Sequence, residues 1–167
     1  MNTNKGFTLL ELLVVLIVIG LFASMLMLSV TKNDKRTVER EAKRLFHLIQ
    51  LAQDEAIIKG VELGLAIQKD RYSFSSLQEN KWLLITEDLD FNEHIVAENI
   101  NITVEVENEQ VVSKVDENTV LPAIVILSTG ELTHFKINMS SSEQPLHEFQ
   151  VIGQESGAIS LKSPTND

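Results

Sequence analysis

The sequence contains no cysteine, only three prolines and a single tryptophan. Without cysteine the chain has no disulfide framework, no thiolate nucleophile and no zinc site built on thiolates. No proline precedes Pro122, so no proline limits the length of a helix before that residue. With 44% hydrophobic residues, the chain has enough apolar side chains to build the core of one globular domain.

Basic residues are also scarce over most of the chain. From Thr37 onward there are 10 lysines and arginines against 22 aspartates and glutamates. A domain this acidic repels phosphate groups, whereas affinity for nucleic acids depends mainly on neutralising them. The composition therefore predicts that the protein does not bind nucleic acid.

Sequence patterns that carry enzymatic chemistry are missing as well. The histidines are scattered, and they form neither a His-Glu-x-x-His zinc pattern nor part of a Gly-x-Ser-x-Gly nucleophile turn: His47, His94, His134 and His147. The glycines occur singly, as expected at turns, and do not form a glycine-rich phosphate-binding loop. We therefore predict no enzymatic activity, no catalytic residue, no metal, no cofactor and no small-molecule substrate.

The chain does contain a long apolar run, in which Glu11 is the only charged residue between Gly6 and Val30. A carboxylate in the hydrocarbon core of a bilayer costs about 2.5–3.5 kcal/mol, so an acid there implies a function and a cationic partner. An ordinary secretory signal peptide is one alternative, but the run continues past the small residues Ala23 and Ser24. A plain membrane anchor is another, because the run can span a bilayer of about 30 Å, yet an anchor gains nothing from a glutamate.

The residues around Glu11 resemble the class III signal of type IV pilins and pseudopilins. A short polar leader with Lys5 is followed by Gly6, Phe7 and Thr8, and the glutamate then lies within the apolar run. The resemblance implies that a prepilin peptidase cuts between Gly6 and Phe7 and methylates the new N-terminal phenylalanine. It also implies that Glu11 pairs with the terminal amine of a neighbouring subunit as a filament grows.

After the apolar run, apolar residues continue to recur with the helical period and form a stripe along one face of the helix. Its apolar residues step by four, three, four, three and four: Val38, Ala42, Leu45, Ile49, Ala52 and Ala56. Gly60 is a natural residue to end such a helix. The pattern predicts a single helix over 7–59 whose second half packs on a globular head.

Short strands follow, and they are predicted at 61–67, 71–75, 82–86, 100–107, 111–115, 123–127, 132–137, 148–152 and 158–162. The run 122–127 is apolar enough to be buried on both faces, and Ser128–Glu131 reads as a tight hairpin turn in which Gly130 supplies a positive φ. A helix followed by strands predicts an α+β fold. In this pilin-like fold a long N-terminal helix, half in the membrane and half amphipathic, packs on antiparallel β-sheets.

Within the pilin-like superfamily, the head resembles the H-type minor pseudopilins of type II secretion. The similar segments are 55–60, 62–64, 72–74 with Trp82, 126–135, 151–153 and 157–161. The second family signature is a strand, a turn and a strand, formed here by Ser128, Gly130, Glu131 and Phe135. His134 stands where the family pattern has a proline, which concerns local turn detail.

The resemblance does not cover the middle of the head, at about 86–120. This middle is acidic, and the segment from Glu79 to Glu117 contains eleven acidic residues and two lysines. We interpret it as the solvated face of a variable hairpin, because acids that alternate along a strand mark the wet side of an antiparallel sheet. A docking face for a basic partner or a cation site is the alternative. The Asp-x-Asp-x-Asp-Gly loop of a calcium site is missing.

The resemblance implies a non-enzymatic filament subunit near the tip of a periplasmic pseudopilus, which helps to export folded proteins across the outer membrane. Its partners would be other minor and major pseudopilins, the prepilin peptidase and the inner membrane. The implied organisation is a leader at 1–6, a single transmembrane half-helix at 7–30, a stem at 31–60 and a periplasmic head at 61–167, with the N-terminus in the cytoplasm. A minor pilin of a type IV pilus is the main alternative, and a membrane-anchored periplasmic binding domain is a third.

Overall fold

The structure, a computed structural model, describes residues 9–116, 119–143, 145 and 148–164, apart from the side chains of 23–33, 115, 116 and 119. It divides into two units, Met1–Asp34 and Lys35–Asp167. The helix α1, Leu9–Lys59, begins in the first unit and ends in the second. This is the long N-terminal helix that the sequence predicts, with Phe7 and Thr8 outside the described residues.

In the first unit, the apolar side chains from Leu9 to Phe22 are exposed. Among the described residues, no helix is both long enough and apolar enough to cross a membrane. The predicted membrane segment, 7–30, includes residues and side chains outside the description and stays a prediction.

The second half of α1 ends at a glycine, as predicted. Gly60 has a φ of 64°, and the amide of Val61 donates a hydrogen bond of 3.1 Å to the carbonyl of Ala56. A left-handed glycine followed by this six-residue bond is the Schellman arrangement, which satisfies a carbonyl at the helix end. The chain turns there into the first strand of the head.

Twelve strands follow: β1 Leu63–Ile67, β2 Arg71–Gln78, β3 Lys81–Leu84, β4 His94–Ile95, β5 Ile100–Val106, β6 Glu109–Val111, β7 Lys114–Asp116, β8 Thr119–Leu121, β9 Ile124–Ile126, β10 Phe135–Ser141, β11 Phe149–Gly153 and β12 Ile159–Lys162. They form one sheet in the order β3-β2-β1-β9, with β4 on β2, and a second in the order β12-β11-β10-β5-β6. The strands β7 and β8 pair as a separate hairpin. Each pairing in the described residues is antiparallel.

The stem stripe provides the centre of the core. Its six predicted residues are fully buried: Val38, Ala42, Leu45, Ile49, Ala52 and Ala56. They belong to one hydrophobic cluster with inward residues of both sheets, such as Phe74 of β2 and Ile137 of β10. The stem therefore packs its apolar stripe into the same core as the inward faces of both sheets.

Several strand predictions need correction. The predicted strand 111–115 is split between β6 and β7, and the strand predicted from 132 begins at Phe135, although Leu132 forms an isolated bridge with Ile126. The predicted burial of 122–127 on both faces is wrong in part, because Ile124 and Ile126 are buried while Val125 is half-buried. The two short strands β4 and β8 were not predicted.

The acidic segment is more than one hairpin, since it contributes β3 to β7 and places Phe91 and Val96 in the core. Most of its carboxylates are exposed, in agreement with a solvated face. Glu105 is an exception. Its half-buried carboxylate accepts hydrogen bonds of 3.2 Å from Lys136 and from Asn138 on the neighbouring strand β10.

Candidate functional site

The predicted assembly residues lie at the N-terminal end of α1. Gly6 and Phe7 are outside the described residues, whereas Glu11 lies in the first described turn of the helix and is exposed. The side chains around it are large and aliphatic, and Leu10 and Leu12 are 74% and 52% exposed. An apolar surface of this extent requires lipid or other apolar helices around it, so Glu11 would be buried only when such partners are present.

The predicted signature turn has the geometry that its sequence demands. The amide of Gly130 donates to the carbonyl of Leu127, and the amide of Leu127 donates to the carbonyl of Glu131, each at 2.9 Å. Gly130 has a φ of 87°. This is a three-residue hairpin loop that closes on a left-handed glycine, a position where other residues are strained. Ser128 is half-exposed, and exposed Glu131 bonds the hydroxyl of Thr129 within the turn.

A second turn, between β11 and β12, repeats this geometry. The amide of Gly157 donates to the carbonyl of Gln154, and the amide of Gln154 donates to the carbonyl of Ala158, again at 2.9 Å. Gly157 has a φ of 86°. The two glycine turns touch, because a Cβ added to Gly157 would lie 2.5 Å from the carbonyl oxygen of Gly130.

The stem helix joins these two turns through one side chain, Gln53. Its Nε2 donates to the carbonyl of Gly130 at 2.6 Å and to the carbonyl of Gly157 at 2.9 Å. One amide thereby fixes the helix to a turn that follows β9 of the first sheet and to a turn within the second sheet. The sequence analysis did not single out Gln53. The only indication in the sequence is weak: a neutral amide stands next to the buried stripe, and the two residues after it are charged.

The last signature residue, Phe135, lies opposite a glycine. Phe135 is fully buried at the start of β10 and pairs across the sheet with Gly153 of β11. A Cβ added at Gly153 would lie 2.1 Å from the phenylalanine ring, so the ring occupies the space that glycine leaves open. The structure therefore brings Gly130 and Phe135 into the junction of stem and head, while Ser128 and Glu131 lie at its surface.

A second contact between head and stem involves His94. Its Nε2 lies 2.9 Å from the carboxylate of Glu41, and its ring packs on Tyr72 with the ring centroids 5.0 Å apart. Burial raises the pKa of Tyr72 well above its usual range. The other described histidines, His47 and His134, are exposed, and His147 lies outside the described residues. Within the described ranges, no three histidine or carboxylate side chains come together as a metal site.

Comparison with known proteins identifies this architecture. Residues 1–27 match the family model of the prokaryotic N-terminal methylation motif, and residues 41–157 match that of the type II transport protein GspH. A type II secretion system protein H of Pseudomonas aeruginosa is 30% identical, over 98% of this chain and 92% of the relative. The protein H of Vibrio cholerae is 25% identical over 98% and 97% of the two chains.

Solved structures agree. The minor pseudopilin EpsH of the Vibrio cholerae type II secretion system superposes with a TM-score of 0.64 at 25% identity, over 77% of this chain and 98% of EpsH. The type IV minor pilin FimU of Pseudomonas aeruginosa superposes with a TM-score of 0.55 at 15% identity, over 80% and 96%. The second likeness shows the shared fold alone, so the type IV pilus alternative is the weaker one.

A methylation motif ahead of a stem helix that packs on antiparallel sheets defines a pilin-like structural subunit. This chain belongs to the GspH family of type II transport proteins and is a minor pseudopilin of the type II secretion system. As a member of that family it assembles with other pseudopilins. The resemblance seen in the sequence is confirmed.

Proposed function

We propose that this minor pseudopilin lies near the tip of a periplasmic pseudopilus, where it helps to export folded proteins across the outer membrane. It enters the filament through Glu11 after the chain has been cut between Gly6 and Phe7. The observation that supports this proposal is the single carboxylate in the apolar run between Gly6 and Val30, inside the part that matches the methylation motif. A carboxylate in an apolar environment is tolerated when an ammonium pairs with it, and cleavage would create an ammonium at Phe7.

The proposal also includes the division of the chain into a leader, a membrane segment, a stem and a head. A leader at 1–6 is removed by the prepilin peptidase, 7–30 crosses the inner membrane once with the N-terminus in the cytoplasm, 31–60 forms the stem, and 61–167 forms a periplasmic head. The subunit acts through protein contacts. It carries out no catalysis, and it binds no cofactor, metal, small-molecule substrate or nucleic acid.

Processing is tested by intact mass spectrometry of the membrane-extracted protein. We expect a chain that begins at a methylated Phe7, and we expect Gly6→Val to remain uncut because the side chain obstructs the peptidase subsite. Asn4→Val is the matched control and should be processed normally. A mature wild-type chain that still begins at Met1, or that begins near Ser24, contradicts the proposal.

Assembly is tested by replacing the carboxylate. Glu11→Leu should leave membrane insertion intact or improve it, because removal of a charge lowers the cost of insertion. Filament incorporation and secretion should be lost, whereas Leu10→Ile, an apolar exchange at the adjacent residue, should retain both. Secretion at the wild-type level with Glu11→Leu would rule out the assembly role.

A further inference from the structure

The head has an open apolar groove beside the end of the stem. It has a volume of about 720 Å³ and lies between the last turn of α1, the start of β1, the β2–β3 hairpin and the segment that leads to Phe91. Apolar lining residues include Val61, Leu63, Leu83, Leu84 and Ile85. Leu83 and Leu84 are 40% and 38% exposed, so the groove presents large aliphatic side chains to solvent.

The rim of this groove is negatively charged. Four charged residues line it: Glu55, Lys59, Glu87 and Asp88. Lys59 is already paired with Glu55, and that pairing, with a smaller contribution from Asp88, raises the pKa of Lys59. Within the described part of the chain, Glu87 and Asp88 form no ion pair, and the carboxylate of Asp88 accepts a hydrogen bond from the amide of Asp90. The rim therefore carries two carboxylates more than its own lysine can balance.

The same chain presents the complementary pattern on the exposed face of its stem. Arg40, Arg44 and Leu51 are exposed and lie on one side of α1, because they are spaced by four and seven residues. This face combines guanidinium groups with an aliphatic side chain about two to three turns further along the helix. The groove combines carboxylates with aliphatic side chains, so the two surfaces match in charge and in polarity.

We propose that this groove receives the stem helix of a neighbouring pseudopilin, which inserts an aliphatic side chain between Leu83 and Leu63 and sets a lysine or arginine against Glu87 and Asp88. The inference rests on the proposed function, since it requires a filament. A contact between two different surfaces, a groove and a stem, is heterologous and does not close as a two-fold dimer. The acidic rim then selects a basic stem by charge, and the apolar floor supplies the buried area.

The absence of native cysteine makes the test direct, because a substituted cysteine is the only thiol in the full-length chain. Leu83→Cys is produced in secreting cells and treated with a membrane-impermeant maleimide, and Leu84→Cys serves as a second reporter if Leu83→Cys fails to support secretion. The non-assembling Glu11→Leu background gives the labelling rate of an unoccupied groove. Val112→Cys, at an exposed apolar residue outside the groove, is the matched control.

We expect Leu83→Cys to react at least about tenfold more slowly in the assembling background, as for a site exposed in at most a tenth of the molecules. The control should react equally in both backgrounds. Adding Glu87→Lys with Asp88→Lys should restore the reaction rate of the unoccupied groove. Oxidation should link Leu83→Cys to a cysteine placed on a neighbouring pseudopilin's stem, at the residue that aligns with Leu51.

Equal reaction rates in the two backgrounds would overturn the inference while the proposed function stands. If Leu83→Cys still reacts slowly after the charge reversal, or if oxidation links it to neighbouring heads and not to stems, the occupant of the groove is not a basic stem helix. Secretion that persists in the Glu11→Leu background would instead refute the proposed assembly role.

Discussion

At the scale of the residue, the amide of Gln53 connects three segments that are far apart in sequence. Its two acceptors, the carbonyls of Gly130 and Gly157, belong to turns whose left-handed glycines point those carbonyls toward the stem. Both bonds are part-buried, so a carbonyl that loses its donor there is only partly compensated by water. The signature turn is therefore a structural device as much as a surface feature.

Replacing Gln53 tests this role. Gln53→Ala should lower the free energy of unfolding by about 1–3 kcal/mol, since two carbonyls lose their donor. Gln50→Ala is the matched control, because Gln50 lies on the same helix and makes an exposed contact with His47, and it should cost less than about 0.5 kcal/mol. Urea unfolding of the detergent-solubilised chain, followed by the fluorescence of the single tryptophan, Trp82, measures both. Equal costs would mean that the amide bonds contribute nothing to stability.

The contact between Gly153 and Phe135 makes a second prediction at this scale. Gly153→Ala places a methyl group where the buried ring lies, and overpacking of this kind costs about 1–3 kcal/mol. Adding Phe135→Leu should recover part of that loss, because the smaller side chain frees the space, so the two changes are not additive. Strict additivity of the two unfolding free energies would show that the ring does not occupy that space.

At the scale of the element, the sequence predicted the stem helix, but it did not predict the short strands β4 and β8 or the break between β6 and β7. The apolar residues from Val38 to Ala56 recur with the helical period, so they lie on one face of the helix, and that face is buried. The break between β6 and β7 has a different cause. Ser113 bonds Ile67 of β1 through both its amide and its hydroxyl, a contact between distant segments that no local pattern records. Gln53 escaped sequence reasoning for the same reason.

The register of the stem gives a quantitative prediction. Leu45→Ala should cost about 2–5 kcal/mol, because it empties a fully buried site between the helix and the sheets. Leu51→Ala, on the same helix but 40% exposed, should cost less than about 1 kcal/mol. The same urea titration ranks the two variants. Similar losses would contradict the orientation of the stem.

At the scale of the whole molecule, charge is distributed unevenly along the chain. Six of the fourteen lysines and arginines fall between Lys32 and Arg44, while the region from 61 to 167 holds six against eighteen acids. A basic stem with an acidic head favours contacts between unlike parts of neighbouring subunits and disfavours contacts between heads. This distribution agrees with assembly into a filament and opposes binding of a polyanion to the head.

Duplex DNA provides the corresponding test, and it also separates this protein from pilin-like subunits that bind DNA. The full-length chain in neutral detergent should not shift duplex DNA at physiological salt, because the acidic head repels a phosphate backbone that needs cations to be neutralised. Reversal of two exposed acids, Glu107→Lys with Glu109→Lys, should also give no shift, because acidic residues still far outnumber lysines and arginines from Thr37 onward. Salt-resistant binding by the wild-type chain would require a DNA site in spite of the acidic head and would move the assignment toward a pilus subunit.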